Sequence, residues 1–195
     1  MAEYMTRILI ESLFSYGLIK ENDKEIYHYS AQVLIEKIIG LSVILVFSII
    51  WGIVLETILF LFCFSGIRKH TGGFHANAFW ECFISSVGVY IIYVKVIYPI
   101  LANNINANML FLVVAVIIIG GIGSINHPNM GWSKKEHNDS KMISRIMVVI
   151  EVSCIIIFYF LGMTTKYVLF MSFGVILSAF LLVLGKFVGQ EVKYE

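Results

Sequence analysis

Residues 38–67 read IIGLSVILVFSIIWGIVLETILFLFCFSGI, thirty residues with a single charge, Glu56. As one α-helix this run would be about 45 Å long, against a hydrocarbon core of about 30 Å. Two short spans turning between residues 51 and 56 fit better. The choice decides the fold, because one crossing more or less exchanges the sides of every later loop.

The composition of the 195-residue chain supports a membrane reading: 59% of its residues are hydrophobic and 14% are charged, against about 25% charged in soluble domains. Every backbone polar group in a bilayer needs an internal partner, so an all-α polytopic protein is expected. Four further apolar runs follow, at 83–101, 110–125, 146–162 and 167–188. With six transmembrane helices the N-terminus, the 68–82 stretch, the 127–145 loop and the C-terminus share one side. Arg7, Lys20, Lys24, Lys37, Arg68, Lys69, Lys134, Lys135, Lys141, Arg145, Lys186 and Lys193 then all lie at that side. The positive-inside rule makes it the cytoplasmic side. Lys166 alone falls in an outer loop, and Lys95 within a span. Five spans would place Arg68, Lys69 and the 134–145 cluster outside, against the rule. The net charge of +1 gives no signal for an acidic partner, and no nucleic acid is expected.

Residues 1–30 form an N-terminal region and 31–195 a transmembrane domain. Met5, Ile8, Leu9, Leu13 and Tyr16 recur at helical spacing, apart from Glu3, Arg7, Glu11 and Lys20. This predicts an amphipathic helix lying at the membrane surface. Asn22 with Glu25, and Ser133 with Glu136, are capping-box patterns. The second should open a helix that continues through Arg145 into the fifth span. The lysines around it either set topology or offer an acidic peptide a docking surface. Lys95 and Glu56 sit at compatible depths and are expected to pair, since a charge inside a bilayer costs about 2.5–3.5 kcal/mol or more. Glu151 enters from the cytoplasmic side, where it either orients a histidine, contacts substrate or partners another helix.

Chemistry has one polar stretch to build on: Arg68-Lys-His-Thr-Gly-Gly-Phe-His75-Ala-Asn-Ala-Phe-Trp-Glu-Cys82. A thiol and an imidazole are the minimum for a cysteine nucleophile with a general base. In one straight helix His75 and Cys82 would stand about 10 Å apart along the axis, so the chain must bend between them. Asn77 is a candidate N-cap for a helix starting near Ala78, with Cys82 in its first turn. A helix N-terminus and a nearby cation such as Arg68 would both favour the thiolate. The Gly72-Gly73 pair permits positive φ and close backbone approach. Cys63 and Cys154 lie inside apolar runs, where cysteine behaves as a small hydrophobe. His70 and His75 with Cys82 are a thin metal set, because no further ligand lies at short spacing. No metal and no cofactor is expected. His28, His127 and His137 show no visible partner in the sequence.

The Arg68, Gly72-Gly73-Phe74-His75-Ala76 and Cys82 constellation, at the edge of an apolar run, resembles the accessory gene regulator protein B (AgrB) family. The Pro128 loop before a Lys-rich helix start, and the multi-span chain of about this length, are also similar. The resemblance implies a bacterial membrane cysteine endopeptidase that processes a small quorum-sensing propeptide of the AgrD type. It matches His75 and Cys82 to the catalytic pair and Arg68 to a basic residue needed for activity, with homodimers expected. Gly72, Gly73 and Glu151 are candidates for substrate binding or support. The implied chemistry is a Cys82 thioester, resolved by a side chain of the peptide into a thiolactone or lactone ring. The rival readings are a small membrane transporter or a metal-binding membrane protein. A transporter would place polar residues deep in several spans.

Overall fold

The computed structural model describes residues 2–21, 24–74, 79–126 and 132–191. Among them the regular elements are helical: α1 (Ala2–Ser15), α2 (Lys24–Ile50), α3 (Val54–Thr71), α4 (Phe79–Ile92), α5 (Tyr98–Ala102), α6 (Ile105–Ile122), α7 (Lys134–Phe160) and α8 (Thr165–Phe187). A π-helical turn, Tyr93–Ile97, joins α4 to α5. Pro99 explains it: proline cannot donate to the carbonyl four residues back, at Lys95. The ladder widens there, and the Tyr98 N–H bonds the Tyr93 carbonyl instead.

The 38–67 run is indeed two helices. Its turn lies at Trp51, Gly52 and Ile53, closed by Trp51 N–H to Phe47 O (3.0 Å) and Ile53 N–H to Ser48 O (2.9 Å). Gly52 takes φ +65°, which a side chain would resist. Five stretches are long and apolar enough to cross a membrane: Ser30–Ile50, Trp80–Ala102, Ile105–Ile122, Lys134–Phe160 and Thr165–Phe187. The sixth long helix, α3, is set apart by its charges: Glu56 in the first turn, Arg68 and Lys69 in the last.

Polarity is distributed inside-out. Thr57, Asn108, Ser144, Glu151, Ser172 and Ser178 are buried, whereas Phe62, Ile84, Ile117, Phe160 and Phe187 are exposed. That is the arrangement a hydrocarbon surround favours, with small and polar side chains joining helices. α8 is the hub. Gly174 lets it approach α3 so closely that a Cβ there would stand 2.8 Å from Phe60 O. One apolar cluster gathers Cys63, Ile67, Ile119, Ile155, Val175 and Leu182. A second, aromatic cluster sits toward the Trp51 turn, where Tyr93 stacks on Phe173 at 3.6 Å and donates to Leu169 O at 2.8 Å.

Several boundaries differ from expectation. α6 begins at Ile105, ahead of the apolar run at 110–125. Asn104 caps α6 by accepting from Ala107 N–H at 3.2 Å, and Asn108 reaches inward to Ser172 Oγ at 3.1 Å. The Ser133 capping box forms and starts α7 at Lys134. The Asn22 pattern, Asn77 and Pro128 lie outside the described residues. In α1 the face packed on the protein holds Thr6 and Ile10, while Ile8 and Leu9 are exposed, as is Tyr16 just after the helix.

Lys95 does not pair with Glu56. Its Nζ lies 4.2 Å from the centre of the Trp51 ring, and among the described residues the sole ion pair is Arg7–Glu11. Glu56 sits in the first turn of α3. The π turn, invisible in a depth estimate, sets which way Lys95 faces.

Candidate functional site

The polar stretch begins as the last turn of α3 and leaves it through two positive-φ glycines, Gly72 at 62° and Gly73 at 99°. Neither conformation suits a residue with a Cβ. The turn is then held from two sides. Ile125 N–H donates to Thr71 O at 2.8 Å, and Gly72 forms an isolated parallel bridge with Ile125. On the other side Phe74 N–H donates to Leu181 O of α8 at 2.9 Å. Gly185, one helical turn further along α8, makes this approach possible. A Cβ there would stand 2.5 Å from Phe74 N and 2.9 Å from Gly73 Cα.

Arg68 closes the arrangement. Its Nη2 donates to Phe74 O, so both backbone groups of Phe74 are held. Its Nη1 is buried against Gly73, without a hydrogen-bond partner among the described residues. A guanidinium removed from water and left half-paired favours any negative charge placed near it.

Cys82 lies in the first described turn of α4 and is exposed, as is Cys154; Cys63 is buried. The Cys82 thiol is within electrostatic reach of the Arg68 guanidinium. Beside it Trp80 and Phe83 meet edge to face at 6.0 Å. The structure thus joins Arg68, Gly72 and Gly73 in one turn, with Cys82 within electrostatic reach of its guanidinium. His75 lies outside the described residues, one position beyond the fixed Phe74.

Glu151 is elsewhere. It is 4% exposed on α7, and a Cβ on Gly66 would stand 2.5 Å from its Oε1. Neither carboxylate oxygen has a hydrogen-bond partner among the described residues. The carboxyl therefore packs between α7 and α3, beside Cys63 and Gly66.

Sequence reasoning missed the support beneath the turn. His137, expected to lack a partner, is 4% exposed, with its Nε2 3.2 Å from Ser124 O and its ring stacked near Trp132. Ser144 Oγ donates to Gly123 O at 2.9 Å, and Arg145 Nε to Gly120 O at 2.9 Å. The start of α7 therefore fixes residues 120–126, and these in turn hold Thr71 and Gly72. Gly123, Gly185 and the capping box were the available signals, but single glycines do not name what approaches them.

Comparison with known proteins places the chain in a family. The family model described as accessory gene regulator B matches residues 2–182. An AgrB-like protein of Clostridium perfringens (strain SM101 / Type A) is 25% identical over 173 residues, covering 83% of this chain and 81% of that protein. Accessory gene regulator protein B of Staphylococcus aureus (strain Newman) is 27% identical over 163 residues, covering 83% of this chain and 82% of that protein. No solved structure matches the chain. A family match over residues 2–182, nearly the whole chain, leads to one conclusion: the chain belongs to the accessory gene regulator B family.

Proposed function

We propose that this protein is a membrane-embedded cysteine endopeptidase that removes the C-terminal tail of an AgrD-type quorum-sensing propeptide. It closes the remainder into a thiolactone or lactone ring. Six helices cross the membrane, α3 among them, and α1 lies along the cytoplasmic face. Parity supports this: the end of α3, the α6–α7 junction and the last third of α8 meet around Gly72 and Phe74. The charges of α3 lie in its first and last turns, close to water. The enzyme works as a homodimer, as its family resemblance implies.

The chemistry runs in two acyl transfers. His75 takes the proton from Cys82 Sγ, and the thiolate adds to the scissile carbonyl carbon. The C–N bond breaks, His75 returns the proton to the departing amine, and the peptide stays on Cys82 as a thioester. A thiol or hydroxyl within the peptide then attacks the thioester carbon. Its proton passes through His75 to Cys82, the C–S bond breaks, and the ring closes.

The observation that carries this reading is the double hold on Phe74. Its N–H and C=O are both fixed, by Leu181 O and Arg68 Nη2, immediately before His75. A general base must be held within about 3 Å of the proton it removes, and a rigid preceding residue supplies that. Arg68 is therefore a positioning residue, and its buried, unpaired Nη1 adds positive charge at the same turn.

The test is co-expression with an AgrD-type propeptide, read by mass spectrometry. Cys82→Ala should abolish tail release at unchanged abundance, while Cys63→Ala and Cys154→Ala retain it. Full cleavage by Cys82→Ala would remove the nucleophile.

A further inference from the structure

At the opposite end of the bundle lies a cavity of about 150 Å³ that the proposed chemistry does not use. Trp51, Tyr98 and Phe170 form its walls, and Lys95 and Lys166 supply its charge. Thirteen residues of helix, about 20 Å, separate Lys95 from Cys82.

Two cations share this small cavity, yet neither forms an ion pair among the described residues. Lys95 is held over the Trp51 ring, 4.2 Å from its centre. That contact keeps the ammonium in place without neutralising it. The π turn forced by Pro99 carries Lys95 itself, so the cation belongs to a specific irregularity of the backbone. Such turns often mark functional positions. Lys166 stands at the start of α8, where helix N–H groups add to the positive potential.

Size narrows the occupant. Drug-sized ligands need roughly 300–1,000 Å³, so this space suits a single compact anionic group. Around it the surface is apolar: Val96, Ile100, Leu161 and Met163 are exposed. A phosphate here could keep hydrocarbon chains beside it without displacing anything.

We infer that this cavity binds the headgroup phosphate of an anionic phospholipid from the leaflet opposite Cys82. The phosphate sits between Lys95 and Lys166, and the acyl chains run down the exposed apolar face. The inference rests on the reading that the bundle crosses a bilayer.

Quenching by brominated lipid tests it. In a Trp80→Phe, Trp132→Phe background Trp51 is the one remaining tryptophan. The protein is reconstituted with brominated phosphatidylglycerol or brominated phosphatidylcholine at equal mole fraction. Phosphatidylglycerol should quench Trp51 at least threefold more effectively. The preference should vanish in Lys95→Ala, Lys166→Ala and survive in Lys95→Arg, Lys166→Arg, which shows that the former folds around a lost charge rather than a lost helix. Equal quenching by both lipids, or a preference that persists in the double alanine variant, overturns the inference. Absence of quenching by either lipid refutes the bilayer reading itself. Added inorganic phosphate distinguishes the source: suppression of the preference at millimolar concentration makes the ligand an aqueous phosphate and overturns the lipid assignment.

Discussion

Substituting Gly185 by alanine puts one methyl group where α8 meets the turn before His75. The new Cβ would stand 2.5 Å from Phe74 N, 2.7 Å from Gly73 C and 2.9 Å from Gly73 Cα. All three are backbone atoms, so no side chain can swing aside. Ordinary contact begins near 3.4 Å, and in a close-packed interior the turn must retreat by about 1 Å. The 2.9 Å bond from Phe74 N–H to Leu181 O then stretches to about 3.9 Å, beyond hydrogen-bond range. An unpaired buried N–H costs about 1–3 kcal/mol, while alanine returns about 1 kcal/mol of helix propensity. The difference is at most about 2 kcal/mol, so Gly185→Ala should still insert and accumulate. Its activity should not survive so well. A 1 Å misplacement of catalytic groups costs about 100-fold in rate. The assay is the initial rate of tail release in membranes of matched protein content, read by mass spectrometry. Gly88→Ala is the control, since a Cβ there meets nothing within 4 Å; it should cleave normally. A Gly185→Ala protein that cleaves at the parental rate would refute the idea that the hold on Phe74 positions the site.

Arg68→Lys should lower turnover at saturating propeptide more than it weakens binding, because a lysine cannot both bond Phe74 O and fill the space against Gly73. Unchanged turnover with weakened binding would return Arg68 to substrate contact. A cysteine at Asn106 should be labelled from outside intact cells, and cysteines at Lys69 and Lys135 should not. External labelling at Lys69 would reverse the proposed orientation. His137→Ala should destabilise the α6–α7 junction by about 1–3 kcal/mol through its lost bond to Ser124 O. Thermal unfolding in detergent is the check, and an unchanged midpoint would contradict that support.

The helices were legible because apolar runs and capping residues are local signals. The Trp51 turn, the Ser133 capping box and the exposure of Cys82 at the start of α4 all follow from sequence neighbours. What stayed hidden is whatever depends on two distant segments meeting. Nothing near Arg68 announces that Leu181 and Gly185 complete its turn, more than a hundred residues later. The Lys95–Glu56 expectation failed for a related reason: it assumed an ideal helix, and Pro99 changed the helix. The asparagines before residue 110 interrupt the apolar pattern, which hides where α6 starts. Asn104 satisfies α6, and Asn108 satisfies Ser172.

Tyr93 and Phe74 grip the same rod. One bonds the Leu169 carbonyl and the other the Leu181 carbonyl, about 18 Å apart along α8. Since α8 is enclosed along most of its length, it can neither slide nor turn at one end alone. An axial slip of a single residue would tear both grips at once, and drag Phe173 across the face of Tyr93. The two ends of the bundle are thus geared together by one shaft. A force on the turn at one end meets the resistance of the whole aromatic stack near the other.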